Sequence, residues 1–124
     1  MPTIRRCEDI EAWQKARELV REAYRTCSEG RLSGAFGLRD QLGRAAVSAM
    51  SNITEGFSRN SDKDFAHFLD IAKGSVWEVQ SLLYVALDAG YIAKEDFERL
   101  HRQADAVASL FGGLILYLRK CFGL

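Results

Sequence analysis

Apolar residues return at every third or fourth position along four stretches of this chain, the period of an amphipathic helix with one buried face. Ile10, Trp13, Ala16, Leu19 with Val20, and Tyr24 make the first stripe, predicting a helix that starts near Asp9. Leu38, Leu42, Ala45 with Ala46, Ala49 with Met50, and Ile53 make the second, predicting a helix from about Leu38 to Phe57. Phe65, Phe68, Leu69, Ala72, Val76, Val79, Leu83 and Ala86 make the third. Ser61-Asp62-Lys63-Asp64 approximates a capping box at its start, and Gly90 is its stop. The fourth runs from about Lys94 through Phe97, Leu100, Ala104, Val107, Phe111, Leu114 and Leu118. Between the first two helices, Gly30 to Gly37 (GRLSGAFG) reads as the loosest connection.

Helices of this size are roughly 30 to 40 Å long at about 1.5 Å per residue. The connections after the second and third helices are short, which makes sequential helices antiparallel neighbours. The prediction is an all-α, antiparallel up-down-up-down four-helix bundle, with residues 1–124 forming a single domain.

The polar positions carry a pattern of their own. Gln41, Arg44, Ser48, Asn52 and Glu55 follow one another at spacings of 3, 4, 4 and 3, a second seam along the second helix. A solvated helix face usually carries Lys and Glu, so Gln, Ser and Asn here read better as a face that meets another helix. With a tight turn near Arg59 and Asn60, Arg44 falls beside Glu78, a candidate ion pair. These six residues, Gln41, Arg44, Ser48, Asn52, Glu55 and Glu78, are the candidate oligomer or partner interface. The same register sets Ala72, Gly74 and Ser75 level with the alanines of the second helix, and Gly112 and Gly113 at nearly that height. Glycine inside a helix costs about 1 kcal/mol relative to alanine. Close backbone approach, within the bundle or between subunits, is the expected reason, ahead of a ligand pocket.

Arg17, Arg21 and Arg25 form a row on the outer face of the first helix, interleaved with Glu18 and Glu22. The row reads either as a phosphate-binding ridge or as a solvated face that its glutamates neutralise, and the glutamates favour the second. Charge is balanced at 17 basic against 17 acidic side chains, which lowers the expectation of nucleic acid as a partner. Cys7, Cys27 and Cys121 are odd in number and far apart, so free thiols are expected rather than a disulfide framework or zinc site. MPTIRRCEDIEAW lacks the apolar core of a signal peptide. The greasy run from Val107 to Leu118 is too short to span a bilayer. A cytoplasmic chain with no membrane contact is expected.

Helical bundles can hold di-iron sites built from Glu-x-x-His pairs. Glu98 with His101, and more weakly Asp64 with His67, meet that spacing. Both pairs open antiparallel helices and therefore sit at opposite ends, roughly 30 Å apart, whereas bridged metals lie about 3.5 to 4 Å apart. There is no phosphate-cradling glycine loop, no GxSxG and no HExxH. The sequence predicts no enzyme, no cofactor, no metal and no small-molecule substrate.

QLGRAAVSAMSNITEG (Gln41 to Gly56), followed by Arg59, Asp64-Phe65, Phe68-Leu69 and IAKGSVWEVQ (Ile71 to Gln80), resembles a known four-helix bundle family. Its members are encoded in intervening sequences of bacterial 23S rRNA genes and often bear the label S23 ribosomal protein. Ala12-Trp13-Gln14-Lys15-Ala16 and Phe36-Gly37-Leu38-Arg39 also fit, so the resemblance covers nearly the whole chain. Gly30-Arg31 stands where the family places an aromatic-proline pair, and Thr54 where alanine is usual. The family signature maps onto Arg44, Ser48, Asn52, Glu55, Gly56, Gly74, Ser75 and Glu78. The resemblance implies a homo-oligomer, with a pentameric ring the suggested arrangement. A related branch serves as a reverse-transcriptase accessory that binds RNA or DNA through a basic surface, for which Arg17, Arg21 and Arg25 are the candidates here. Being encoded inside an rRNA gene does not make a protein part of the ribosome. The chain thus reads first as a non-catalytic, ring-forming interaction module and second as a nucleic-acid-binding accessory.

Overall fold

A computed structural model describes residues 6–121. A short 3-10 turn, Cys7–Asp9, leads into α1 (Glu11–Cys27), and a second, Gly30–Gly34, joins it to α2 (Phe36–Phe57). Then come α3 (Asp62–Asp88) and α4 (Lys94–Cys121). Each helix packs on its two neighbours in the cyclic order α1, α2, α3, α4 and back to α1, the arrangement of an antiparallel four-helix bundle. The most extensive contacts run from α2 to α3 and from α3 to α4, while α1, the shortest helix, makes the fewest.

The helix ends follow from local chemistry. The Ser61 hydroxyl accepts a hydrogen bond from the Asp64 backbone N–H at 3.3 Å, capping α3 as expected. At its other end Gly90 adopts φ +75°, so that its N–H donates to the Leu87 carbonyl at 3.0 Å. The Tyr91 N–H donates to the Ala86 carbonyl at 2.8 Å, and together the two bonds close a Schellman motif. Asn60, at φ 57°, makes the left-handed residue of the α2–α3 turn. α1 begins two residues after Asp9, which lies in the 3-10 turn instead.

Inside, one fully buried layer gathers Leu19, Ile53, Leu69, Val76, Val107 and Phe111. A second, towards the α1–α2 connection, gathers Leu32, Leu42, Val79, Leu83 and Leu100. Two expectations change here. Tyr24 does not continue the α1 stripe: it is 54% exposed, and Ala23 and Cys27 take the inward positions. The glycine-rich connection is not loose, because Leu32 is fully buried and anchors its 3-10 turn to the core.

Gly56 sets the seating of α2 on α3. A Cβ there would lie 2.7 Å from the Phe68 Cβ and 3.3 Å from the Phe65 Cα, so only glycine permits this approach. With Phe68 seated there, Ser48 comes opposite Ser75, three residues beyond the expected register.

Candidate functional site

The middle of the α2 seam meets a helix of its own subunit. Asn52 Nδ2 donates to Ser48 Oγ at 3.0 Å and to the Ser48 carbonyl at 2.8 Å. Ser48 Oγ lies 2.8 Å from Ser75 Oγ, which donates to the Ile71 carbonyl at 3.3 Å. Four groups thus form one chain of hydrogen bonds across the α2–α3 contact, each link polarising the next. Ser48 and Asn52 are half-buried and Ser75 is buried. The seam's ends behave differently. Gln41, Arg44 and Glu55 are exposed, and Glu55 pairs with Arg59 at 2.6 Å. The expected Arg44–Glu78 pair does not form: among the described residues neither has an ion-pair partner within 4.0 Å. Arg44 is among the residues that line a pocket α2 shares with α1.

That open pocket, about 420 Å³, is walled by Tyr24, Cys27, Arg39, Asp40, Gly43 and Arg44. Gly43 lets the Tyr24 ring lie close over α2, the ring and hydroxyl being 3.3 Å from where a Cβ would stand. The Arg39 guanidinium is fixed by donating to the Ser33 carbonyl at 2.9 Å and by lying 4.8 Å from the Phe36 ring centroid. Burial raises the Cys27 thiol above its ordinary range, with nearby Arg39 opposing the shift and Asp40 adding to it. Cys7 is raised as well, chiefly by burial, despite its 3.4 Å contact with the Thr54 hydroxyl. Both are therefore weak nucleophiles, and of the three free thiols only Cys121 is exposed.

The arginine row on α1 is largely engaged. Arg17 lies 5.9 Å from the Trp13 ring centroid, and Arg25 pairs with Glu22. Glu22 also accepts from Arg99 of α4 at 2.9 Å. Arg21 is exposed and, among the described residues, has no ion pair.

A surface that the stripe reading overlooked lies on the outer edge of α3. Ile71, Gly74, Glu78, Ser81 and Val85 follow at spacings of 3, 4, 3 and 4, with Trp77 and Tyr84 alongside. All seven are exposed, and Glu78 is the single charge among them. Trp77 is 56% exposed and Val85 52%. Lys73 lies 5.3 Å from the Trp77 ring centroid, while Tyr84 leans on Phe97 of α4 with centroids 4.8 Å apart. The signal was present in the sequence, since Trp77 sits one residue past the core position Val76 and so had to point elsewhere. The glycine waist gives a different answer from the one expected within the bundle. At Gly74, Gly112 and Gly113 a Cβ would meet nothing within 4 Å.

His101 sits between aromatic rings, 5.3 Å from the Phe97 centroid and 5.5 Å from that of Tyr84, with Asp105 3.6 Å away. Glu98 is paired loosely with Lys94 at 3.9 Å. Asp64 and His67 are exposed in the first turns of α3, at the far end of the bundle. Among the described residues no three His, Cys, Asp or Glu side chains converge as a metal site would require. None of the described helices is long and apolar enough to cross a membrane.

Residues 8–113 match the model of a family described as 23S rRNA-intervening sequence protein, a description that names no reaction. The fold is similar to the 1.70 Å crystal structure of a protein with unknown function from the S23 ribosomal protein family of Bacteroides thetaiotaomicron. The TM-score is 0.76 at 22% identity, over 84% of this chain and 97% of that one. No curated protein matches the chain. With the match spanning most of its length, and a bundle whose α2–α3 contact rests on Ser48, Asn52, Gly56 and Ser75, the chain belongs to the 23S rRNA-intervening sequence protein family.

Proposed function

We propose that this chain is a non-catalytic interaction module that assembles with copies of itself into a ring, five subunits being the number that the family resemblance implies. The observation that carries the reading is the outer edge of α3, where seven successive exposed positions hold one charge, a tryptophan and a tyrosine. Depletion of charge with aromatic enrichment is the compositional mark of an interface core. The open glycines add to it: each costs about 1 kcal/mol of helix stability, and Gly74 and Gly113 gain no contact within the subunit in return. The polar seam supports assembly less than its composition suggested, because Ser48 and Asn52 are satisfied by α3 and only Gln41, Arg44, Glu55 and Glu78 are exposed for a partner. Multi-angle light scattering at micromolar concentration tests the reading. The expected mass is five times the 13.9 kDa of one chain, and a monomer mass overturns assembly.

The second reading, a nucleic-acid-binding accessory, rests on the exposure of Arg17, Arg21 and Arg25 along one helix. Glu22 neutralises Arg25, so less free positive charge remains than the row promised. RNA retardation at low salt, lost as salt rises, is its signature.

A further inference from the structure

Two features of different shape stand on this bundle. One is the α1–α2 pocket of about 420 Å³, lined by Gly43 and Tyr24 with Arg39, Asp40 and Arg44. The other is the α3 edge, where the half-exposed Trp77 indole, with Lys73 5.3 Å from its ring centroid, stands beside Glu78. Resting on the self-assembly proposed above, we propose that Trp77 of one copy inserts into the α1–α2 pocket of the next, with Glu78 pairing to that copy's Arg44. The occupant of the pocket is therefore a second copy of this chain.

Charge, shape and height each support the match. Arg44 and Glu78 have no ion-pair partner within 4.0 Å among the described residues, and they carry opposite charge. The pocket falls within the size range of clefts that hold small organic groups, and a lining that includes an aromatic ring and guanidinium groups suits an indole. Height along the bundle is the stricter condition. With Ser48 opposite Ser75 in antiparallel helices, Glu78 lies opposite Ala45, one residue from Arg44. At 1.5 Å rise per residue the two charges differ in height by only about 1.5 Å. Copies rotated about an axis parallel to the bundle would bring donor and acceptor level, with no climb from one subunit to the next.

The contact joins two different faces of the subunit, the outer edge of α3 and the α1–α2 pocket, and is therefore head-to-tail. Head-to-tail contacts close into a ring when the rotation permits and otherwise run on as a filament. Level docking, with no climb between copies, allows the ring to close.

The test uses the two-sidedness of such a contact. Trp77→Asp removes the insert and leaves the pocket whole; Arg44→Glu spoils the pocket and leaves the insert whole. Both positions are exposed, and circular dichroism checks that each variant keeps its helicity. Each variant alone is expected at the 13.9 kDa of one chain, and an equimolar mixture at twice that mass and no more. In the mixture one intact insert meets one intact pocket, and the chain of contacts then ends. If the wild type assembles but either variant keeps the wild-type mass, or the mixture stays monomeric, this site is wrong while self-assembly stands. A monomeric wild type would remove both.

Discussion

At Gly56 the backbones of α2 and α3 approach so closely that a Cβ would lie 2.7 Å from that of Phe68. Neither atom belongs to the flexible end of a side chain, so relief requires the helices to part. Overpacking of this kind costs about 1–3 kcal/mol, which outweighs the roughly 1 kcal/mol of helix propensity that alanine would bring. Gly56→Ala is expected to lower the urea midpoint of unfolding at unchanged slope; an equal or higher midpoint would show that the helices can separate without loss. Gly43 meets a softer neighbour, the Tyr24 ring, which is half-exposed and can swing outward. These two glycines of the same helix were indistinguishable in the sequence, because a glycine's reason lies in whatever approaches it.

The elements show where reading a sequence succeeds. Both ends of α3 were legible, since Ser61 and Gly90 act through bonds to residues three or four positions away. The buried stripes of α2 and α4 were legible because period alone places them. Leu32 escaped, as three neighbouring glycines suggested a loose connection while one leucine anchored it. Tyr24 was misplaced because Ala23 continues the inward direction from Leu19 and the small side chain is easily passed over. The seam was half legible: Ser48 and Asn52 do meet a helix, and the sequence could not say that it was α3 of the same subunit. Trp77 was not legible as a surface feature, because an apolar period marks the residues that pack and not those the packing leaves outside. α4 offers a test at this scale. Gly113 is exposed with open space where its Cβ would be, so Gly113→Ala is expected to raise the stability of the subunit by about 1 kcal/mol. Thermal melts in the Trp77→Asp background, which the proposed contact expects to be monomeric, measure it, and a fall would mean that α4 needs this glycine within the bundle.

Across the whole molecule, the contacts between helices are unequal. α3 holds α2 and α4 through the most extensive ones, whereas α1, the shortest helix at 17 residues, has the fewest to break in detaching as a unit. Regions with few buried contacts open first, at free energies well below global unfolding. Tyr24 and Cys27, which wall the pocket, lie in the last turn of this same helix, and Glu22 ties that end to Arg99. In the isolated subunit, amide hydrogen exchange is expected to run fastest in α1. A neighbour's indole seated against Tyr24 would then act as a latch, holding the helix with the fewest contacts in one subunit through the helix with the most in the next. Exchange in α1 of the wild type should slow as concentration rises, and in Trp77→Asp it should not. Each chain in a ring would thus finish the folding of the chain beside it, and a subunit outside the ring would be the one that comes apart from its first helix.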